Sequence, residues 1–142
     1  MSAGPLALFE GKRYINLTTF RKSGIAVPTP VWFVVHEGRL YVSTAAQSGK
    51  AKRIRANGRA LVAPSDARGH PLGEFVPARA RPVGEPELIR RLEQAFQKKY
   101  TWQRRLLSLL SRLARRRAGK PILIELELLA DGASETTQGG NP

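Results

Sequence analysis

The alternation of apolar and polar positions in the first part of the chain predicts an antiparallel β protein. Residues 13–20 (RYINLTTF) alternate and are rich in β-branched and aromatic side chains, as half-buried strands are. A second strand is predicted over residues 25–36, after the turn sequence RKSG. Pro28 and Pro30 interrupt this strand. Because proline donates no ladder hydrogen bond, they predict that the strand lies at an edge or a bulge of the sheet.

The rest of the chain mixes strand and helix patterns. Further strands are predicted at residues 40–44, 59–66, 74–83 and 122–129. In the last of these, four apolar residues face inward and two acidic residues face outward: Ile122, Ile124, Leu126 and Leu128 against Glu125 and Glu127. Helices are predicted over residues 49–57, from Pro86 onward with a buried stripe of Leu88, Leu92, Ala95 and Phe96, and over residues 101–117.

This order of elements predicts a fold that is mainly β with helices. Five strands with one short helix among them, then two helices and a sixth strand, fit a small antiparallel β-barrel with peripheral helices. At 142 residues the chain is expected to form one domain, over residues 1–130. Residues 131–142 are polar and turn-rich, and we predict that this C-terminal tail is disordered.

The net charge of +13 predicts an anionic partner. Residues 50–59 hold five basic side chains and no acid, and residues 98–120 hold nine and again no acid. Charge alone leaves three classes of partner open: nucleic acid, acidic lipid, or a small molecule with several phosphates or carboxylates.

Composition excludes several kinds of chemistry. The chain has no cysteine, so disulfides, thiolate catalysis and zinc held by cysteine are excluded. With two histidines and eleven acidic residues, no metal site is predicted. No apolar run reaches the ~18 residues of a membrane span and no secretory signal is visible, so a cytoplasmic location is expected. His36 and His70 fall in predicted turns, where exposed histidines without a role are common, and no catalytic residue is assigned.

The start of the short helix is the strongest candidate for a binding site. Ser48 and Gly49 are small enough to let a ligand approach backbone N–H groups at the positive end of the helix. Lys50, Lys52 and Arg53 follow at once. Cations at that end oppose the helix dipole, so they cost helix stability unless an anion binds there. We therefore predict an anion site, with Lys50 as its chief contact; the alternative is a solvated basic helix.

Three segments in combination carry a resemblance to a known family: YINLTTF, GIAVPTPVWFVV and GRLYVSTAAQSGKAKRIRANGRALVAPSD. Together they resemble the split β-barrel family that includes pyridoxamine 5′-phosphate oxidase. PTPVWF and SGKAKRIR are similar to the branch that uses the deazaflavin coenzyme F420. The resemblance runs over residues 13–83 and extends to the pair Lys99 and Tyr100. It implies a six-stranded split barrel like the FMN-binding proteins, a homodimer, and two cofactor sites along the dimer interface.

The resemblance also implies which residues contact the cofactor. The strand beside the flavin ring corresponds to Thr29, Pro30, Val31, Trp32, Phe33 and Val34. The next strand end, which also touches the cofactor, corresponds to Ser43 and Thr44. The residues that bind the cofactor phosphate correspond to Gly49 and Lys50, next to Ser48. Lys52 and Arg53 extend this phosphate-binding segment. A row of cations also suits the phosphodiester and oligoglutamate tail of F420.

The function predicted from these features is hydride transfer from reduced F420 to an electron-poor organic substrate. Because the chain lacks a segment like the oxidase's C-terminal substrate-binding region, pyridoxamine oxidation is not expected. The alternatives are an FMN-binding flavoprotein and a cofactor carrier without catalysis. A third alternative is binding of nucleic acid or an anionic membrane through the basic helix at residues 98–120. We favour this third alternative least, because the leucines of that helix can pack on the barrel while its arginines stay solvated.

Overall fold

The computed structural model describes residues 5–100 and 120–129. Within them the chain is mainly β, as predicted, with seven strands and two α-helices after a 3₁₀ turn at Pro5–Phe9. The strands are β1 (Tyr14–Phe20), β2 (Ala26–Val31), β3 (Phe33–His36), β4 (Arg39–Ala45), β5 (Arg59–Ser65), β6 (Val76–Pro82) and β7 (Pro121–Leu128). The helices are α1 (Gly49–Asn57) and α2 (Pro86–Lys99). The predicted helix over residues 101–117 and the predicted tail over residues 131–142 lie outside the described residues.

The strands form one antiparallel sheet that curls on itself. Its order is β2-β1-β5-β6-β7-β4-β3. The strands at its two edges, β2 and β3, follow each other in the chain with only Trp32 between them. The two edges therefore meet at Trp32, and the sheet closes around a core there. This curled sheet is consistent with the predicted split barrel.

The sheet has seven described strands where the sequence predicted six, because residues 25–36 form two strands instead of one. β2 pairs with β1 as far as Val31, which lies opposite Ile15. β3 pairs with β4 from Phe33, which lies opposite Val42. The chain thus changes its partner strand at Trp32. Apolar–polar alternation continues through such a change, so the pattern gave no sign of it.

The described residues form two apolar clusters. The first fills the inside of the curled sheet and includes Phe9, Ile15, Leu17, Phe33, Leu40, Val42, Val62, Ile124 and Leu126. The second lies between α2 and the outer face of the sheet and includes Val34, Tyr41, Leu92, Phe96, Tyr100 and Leu123. The buried stripe predicted for α2 is confirmed at Leu92 and Phe96. α2 therefore holds the outer face of the sheet where the strand changes partner.

β7 differs from the sequence prediction at one position. Ile124 and Leu126 lie in the barrel core, as expected. Glu125 lies on the opposite face, but it is buried there and does not face solvent. Its carboxylate is 3.1 Å from Nη1 of Arg39 and 3.3 Å from Nη2 of Arg81. Two partly exposed arginines therefore compensate the buried charge, as such a charge requires.

Candidate functional site

Helix α1 begins at a well-formed N-cap. Ser48 has an extended backbone, and its Oγ accepts a hydrogen bond of 3.1 Å from the backbone N–H of Ala51. Thr44, near the end of β4, places its own hydroxyl 3.0 Å from that of Ser48. The helix ends at Gly58, whose left-handed conformation (φ 70°) suits glycine. The strand-to-helix corner predicted from the sequence is thus confirmed, and Thr44 supports its cap.

The first turn of α1 keeps two backbone donors for a ligand. The N–H of Ala51 bonds to the Ser48 side chain, and the N–H of Lys52 bonds to the Ser48 carbonyl at 3.1 Å. The N–H groups of Gly49 and Lys50 remain, and no acceptor within residues 5–100 or 120–129 bonds to either. The first turn also contains no acidic residue. An anion at this point would meet both donors and the positive end of the helix dipole.

The guanidinium of Arg53 folds back over the start of the same helix. Its Nε donates a hydrogen bond of 2.6 Å to Oγ1 of Thr19, a buried residue of β1. A Cβ atom added to Gly49 would lie only 2.7 Å from Nη1 of Arg53. Glycine at position 49 therefore leaves the space that the guanidinium occupies. Thr19 and Gly49 together hold the charge of Arg53 at the first turn.

The cations at this corner repel one another. Burial lowers the pKa of Lys50 below its usual value, and the charge of Arg53 lowers it further. Burial likewise lowers the pKa of Arg53, with a further contribution from Arg21 at the end of β1. In the part of the chain that the structure describes, none of the three forms an ion pair with a carboxylate. Their mutual repulsion would be relieved by a bound anion.

The predicted ring strand, residues 29–34, is divided by the break at Trp32. Val31 and Phe33 point into the barrel core, and Val34 packs under α2. Trp32 is half-buried and stacks on Tyr100 of the α2 cap, with centroids 4.5 Å apart and planes at 6°. The first two residues of this stretch, Thr29 and Pro30, lie on β2, an edge strand of the described sheet.

The open edge of β2 presents backbone carbonyl acceptors at Pro28 and Pro30 but no backbone N–H donors at these two positions. Asn16 lies opposite Pro30 and Thr18 lies opposite Pro28 in the antiparallel register. Because proline has no N–H, these pairs must be the ones without ladder hydrogen bonds, so the proline carbonyls point away from β1. Such an edge resists pairing with another strand but can accept hydrogen bonds from the N–H groups of a ligand.

The structure brings most of the predicted phosphate residues together. Thr44, Ser48, Gly49, Lys50 and Arg53 all lie at the strand-to-helix corner. Ser43 is exposed on β4, and Lys52 is exposed on α1; neither side chain forms a hydrogen bond or an ion pair within the described part of the chain.

The corner and the edge of β2 are both attached to β1. The Thr29 hydroxyl lies 3.3 Å from the carbonyl of Leu17, and Arg53 is bonded to Thr19, two residues further along that strand. Two residues of a strand span about 7 Å. The predicted ring strand and the predicted phosphate site therefore lie within reach of one small molecule.

Several residues at the site were missed by the sequence analysis. Thr19 and Arg21 were read only as strand and turn residues. Lys99 and Tyr100 were noted for resemblance alone, yet both bond to the backbone of Phe33. Burial lowers the pKa of Lys99 to about 8 and raises the pKa of Tyr100 to about 12. No local signal marks these residues, because their partners lie far away in the sequence.

The described residues offer little other chemistry. They contain no group of three metal-binding side chains, and no described helix is long and apolar enough to cross a membrane. His36 is the last residue of β3 and, contrary to the prediction, does not lie in a turn. Its ring makes an edge-to-face contact with Tyr41, with centroids 6.2 Å apart. His70 lies in the loop between β5 and β6, with Nδ1 3.2 Å from Oδ2 of Asp66. Within the described residues, the imidazole of His70 is hydrogen-bonded to a carboxylate, whereas Nε2 of His36 lies 3.9 Å from Oε2 of Glu37.

Comparison with known proteins identifies one family. The sequence model of the family described as pyridoxamine 5′-phosphate oxidase matches residues 6–127. No curated protein is similar enough in sequence to count as a relative.

Solved structures share the fold at low sequence identity. A conserved hypothetical protein from Mycobacterium tuberculosis is 18% identical, with a TM-score of 0.64 over 100% of this chain and 93% of that one. The heme storage protein HutZ from Vibrio cholerae is 14% identical, with a TM-score of 0.64 over 87% and 86%. An FAD-binding protein from Mesorhizobium loti is 15% identical, with a TM-score of 0.53 over 87% and 84%. At these identities the likeness shows the fold alone.

Proposed function

The chain belongs to the pyridoxamine 5′-phosphate oxidase family, and from this we propose that it is an oxidoreductase that binds the deazaflavin coenzyme F420. Its substrate would be an electron-poor organic molecule, such as an enone or a conjugated pigment. The observation that carries the proposal is the cationic corner at the start of α1, whose charges have no carboxylate partner among the described residues. Flavin-binding relatives, among them the FAD-binding protein from Mesorhizobium loti, support a cofactor of the flavin type.

The residues at this corner fit the phosphate of such a cofactor. Gly49 and Lys50 offer two backbone N–H groups, and a side chain at position 49 would collide with Arg53. Lys50 and Arg53 supply two charges that are partly desolvated and have no carboxylate partner in the described chain. Charge-assisted hydrogen bonds to phosphate are about twice as strong as neutral ones. The chain thus offers the donors and charges that a phosphate group requires.

The ring of the cofactor would lie along β2 and the break at Trp32. The carbonyls of Pro28 and Pro30 point outward there and can accept hydrogen bonds from ring N–H groups. Lys99 and Tyr100 hold Phe33 in place from the side of α2. The protein would therefore position the ring with backbone groups and hold the phosphate with charges.

When bound, reduced F420 would supply a hydride to the substrate. The residues of the chain would bind the cofactor, fix its orientation and shield one side of it. The exposed Lys52 and Ser43 border the corner and could contact the parts of the cofactor beyond the phosphate. The net charge of +13 also favours a ligand with a polyanionic tail.

A second candidate function is that of an FMN-binding flavoprotein. The corner would hold one phosphate group, and the phosphate monoester of FMN would carry more charge there than the diester of F420. A carrier of either cofactor without catalysis has the same binding geometry. Cofactor sites at the interface of a homodimer are part of both candidates. We place nucleic acid and anionic membranes behind them, since the leucines of the predicted basic helix can pack on the barrel while its arginines stay solvated.

The test is a titration of the purified protein with F420 and with FMN, followed by absorbance and fluorescence. We expect F420 to bind at least as tightly as FMN and the reduced, loaded protein to transfer hydride to an added acceptor. Tight binding of FMN alone would replace the cofactor in the proposal. Binding of neither would remove the oxidoreductase function, and binding without turnover of any acceptor would leave a carrier.

A further inference from the structure

The loop between β5 and β6 places a carboxylate–histidine pair beside the predicted ring strand. Asp66 organises this loop: its Oδ1 accepts hydrogen bonds of 2.9 Å from the backbone N–H groups of Arg68 and His70. Its own backbone N–H bonds to the carbonyl of His70 at 3.1 Å, and Gly69 adopts a φ of +92° that suits glycine. These bonds give the loop one defined conformation with His70 near its tip.

The same loop is seated on the edge of the barrel. Asn16, a buried residue of β1, donates a hydrogen bond of 2.7 Å from Nδ2 to the carbonyl of Gly69. A Cβ atom on Gly69 would lie 3.2 Å from Cδ of Pro30, so the loop packs directly against β2. Pro30 is the second residue of the predicted ring strand. His70, the next residue after Gly69, therefore stands at the border of the proposed cofactor site.

The imidazole of His70 is oriented by Asp66. Nδ1 lies 3.2 Å from Oδ2 of Asp66, and the side chain of His70 is 71% exposed. The hydrogen bond from the backbone N–H of His70 is the main reason that the pKa of Asp66 is low, so this carboxylate is ionised and accepts the proton on Nδ1. The second nitrogen, Nε2, has no hydrogen-bond partner among the described residues and can meet a ligand. A carboxylate that fixes one imidazole nitrogen while the other acts is a recurrent arrangement in enzymes.

From this geometry we infer that His70 is the general acid of the reaction, oriented by Asp66; the inference rests on the proposed function. Hydride transfer to an enone leaves an electron pair on the substrate that needs a proton. The substrate takes the hydride at its β-carbon, from the reduced cofactor, and the electrons of its double bond move to the α-carbon or the oxygen. The step starts from the imidazolium form of His70, which carries a proton on each nitrogen. Its Nε2–H bond breaks, that proton forms the new C–H or O–H bond, and solvent reprotonates the neutral imidazole, which keeps its Nδ1 proton on Asp66.

The test compares two acceptors that differ in their need for a proton. 2-Cyclohexen-1-one needs a hydride and a proton, whereas N-methylacridinium needs a hydride alone. Protein loaded with reduced F420, or with reduced FMN if only that binds, is mixed anaerobically with each acceptor. We expect His70→Gln to slow reduction of the enone by about 10²- to 10⁴-fold, the usual contribution of a general acid. Reduction of N-methylacridinium and the cofactor Kd should not change. His36→Gln is the matched control and should leave both rates as they are.

A second measurement does not depend on turnover. Long-range 1H–15N spectra of the protein with oxidised cofactor should show His70 protonated at Nδ1, and its Nε2 signal should shift when the enone is added, while that of His36 should not. The assignment is overturned if the wild type reduces the enone no faster than His70→Gln does, whatever the absolute rate. It is also overturned if the Nε2 signal of His70 does not shift when the enone is added. Failure to reduce N-methylacridinium would instead count against the proposed function.

Discussion

The hydroxyl of Tyr100 lies 3.0 Å from the backbone nitrogen of Phe33 and accepts its hydrogen bond, although 67 residues separate the two in sequence. The same hydroxyl is within 2.9 Å of the Phe33 carbonyl and 2.8 Å of the Arg13 carbonyl. Phe33 follows the point where the chain leaves β1 for β4, so its N–H lacks the ladder partner it would have in a continuous strand. Tyr100 supplies that partner from the end of α2 and thereby stabilises the break.

We predict that Tyr100→Phe destabilises the protein by about 1–3 kcal/mol, the cost of leaving a buried donor without a partner. Urea denaturation of the wild type and the variant measures this difference. Tyr14→Phe is a suitable control, because the Tyr14 hydroxyl has no hydrogen-bond partner in the described part of the chain. A Tyr100→Phe variant as stable as the wild type would mean that another group satisfies Phe33.

Lys99 is predicted to make stability depend on pH in the alkaline range. Its pKa is lowered to about 8 by burial, against 10.5 for an ordinary lysine. Between these values the unfolded chain binds more protons than the folded protein, so the free energy of unfolding rises with pH. Below about pH 8 the lysine is charged in both states and adds no pH dependence. Comparison of wild type with Lys99→Met between pH 7.5 and pH 10.5 measures the effect, and parallel curves would contradict it.

Gly49→Ala is predicted to weaken cofactor binding without unfolding the protein. The new methyl group would meet the end of a flexible side chain, Arg53, which can move aside. Displacing the Arg53 guanidinium would remove its proposed charge-assisted contact with the cofactor phosphate. The affinity for the cofactor should therefore fall roughly tenfold or more. Gly84→Ala, where a Cβ would meet nothing within 4 Å, is the matched control. An unchanged affinity in Gly49→Ala would show that Arg53 does not contact the phosphate.

We also predict that the protein is a homodimer. Ile25, Leu72 and Phe75 are large apolar residues with 57%, 58% and 40% of their surface exposed in the single chain. The resemblance to the split-barrel family implies that a second copy of the chain covers such surfaces. Light scattering at micromolar concentration should give twice the mass of one chain. A monomer under these conditions would count against cofactor sites shared between two chains.

The sequence predicted most of the fold because the pattern is local. The strand in residues 13–20 and the stripe of α2 each follow from neighbouring positions, and both elements are confirmed, although the strand is buried on both faces. The break at Trp32 was missed because the alternation continues through it, and no local pattern carries the hydrogen bond from Phe33 to Tyr100. The burial of Glu125 was missed for the same reason, since Arg39 and Arg81 come from other strands.

The candidate site was predicted only in part. The Ser48 cap and the cations of α1 are adjacent in sequence, so their spacing was enough to propose an anion site. Thr19, which holds Arg53, is 34 residues away, and the contact of Gly69 with Pro30 joins two separate hairpins. Such contacts are set by the register of the sheet, which composition and periodicity do not reveal.

The most direct test of the account is the affinity of Lys50→Ala for the cofactor that the wild type binds, F420 or FMN. Loss of a charge-assisted hydrogen bond worth about 1.5–3 kcal/mol should weaken binding roughly ten- to a hundred-fold. Lys12→Ala removes the same charge outside the proposed site and serves as the control, titrated at the same ionic strength. Equal melting temperatures would show that both variants are folded. If Lys50→Ala binds as tightly as Lys12→Ala, the phosphate does not bind at the start of α1 and the central claim is wrong.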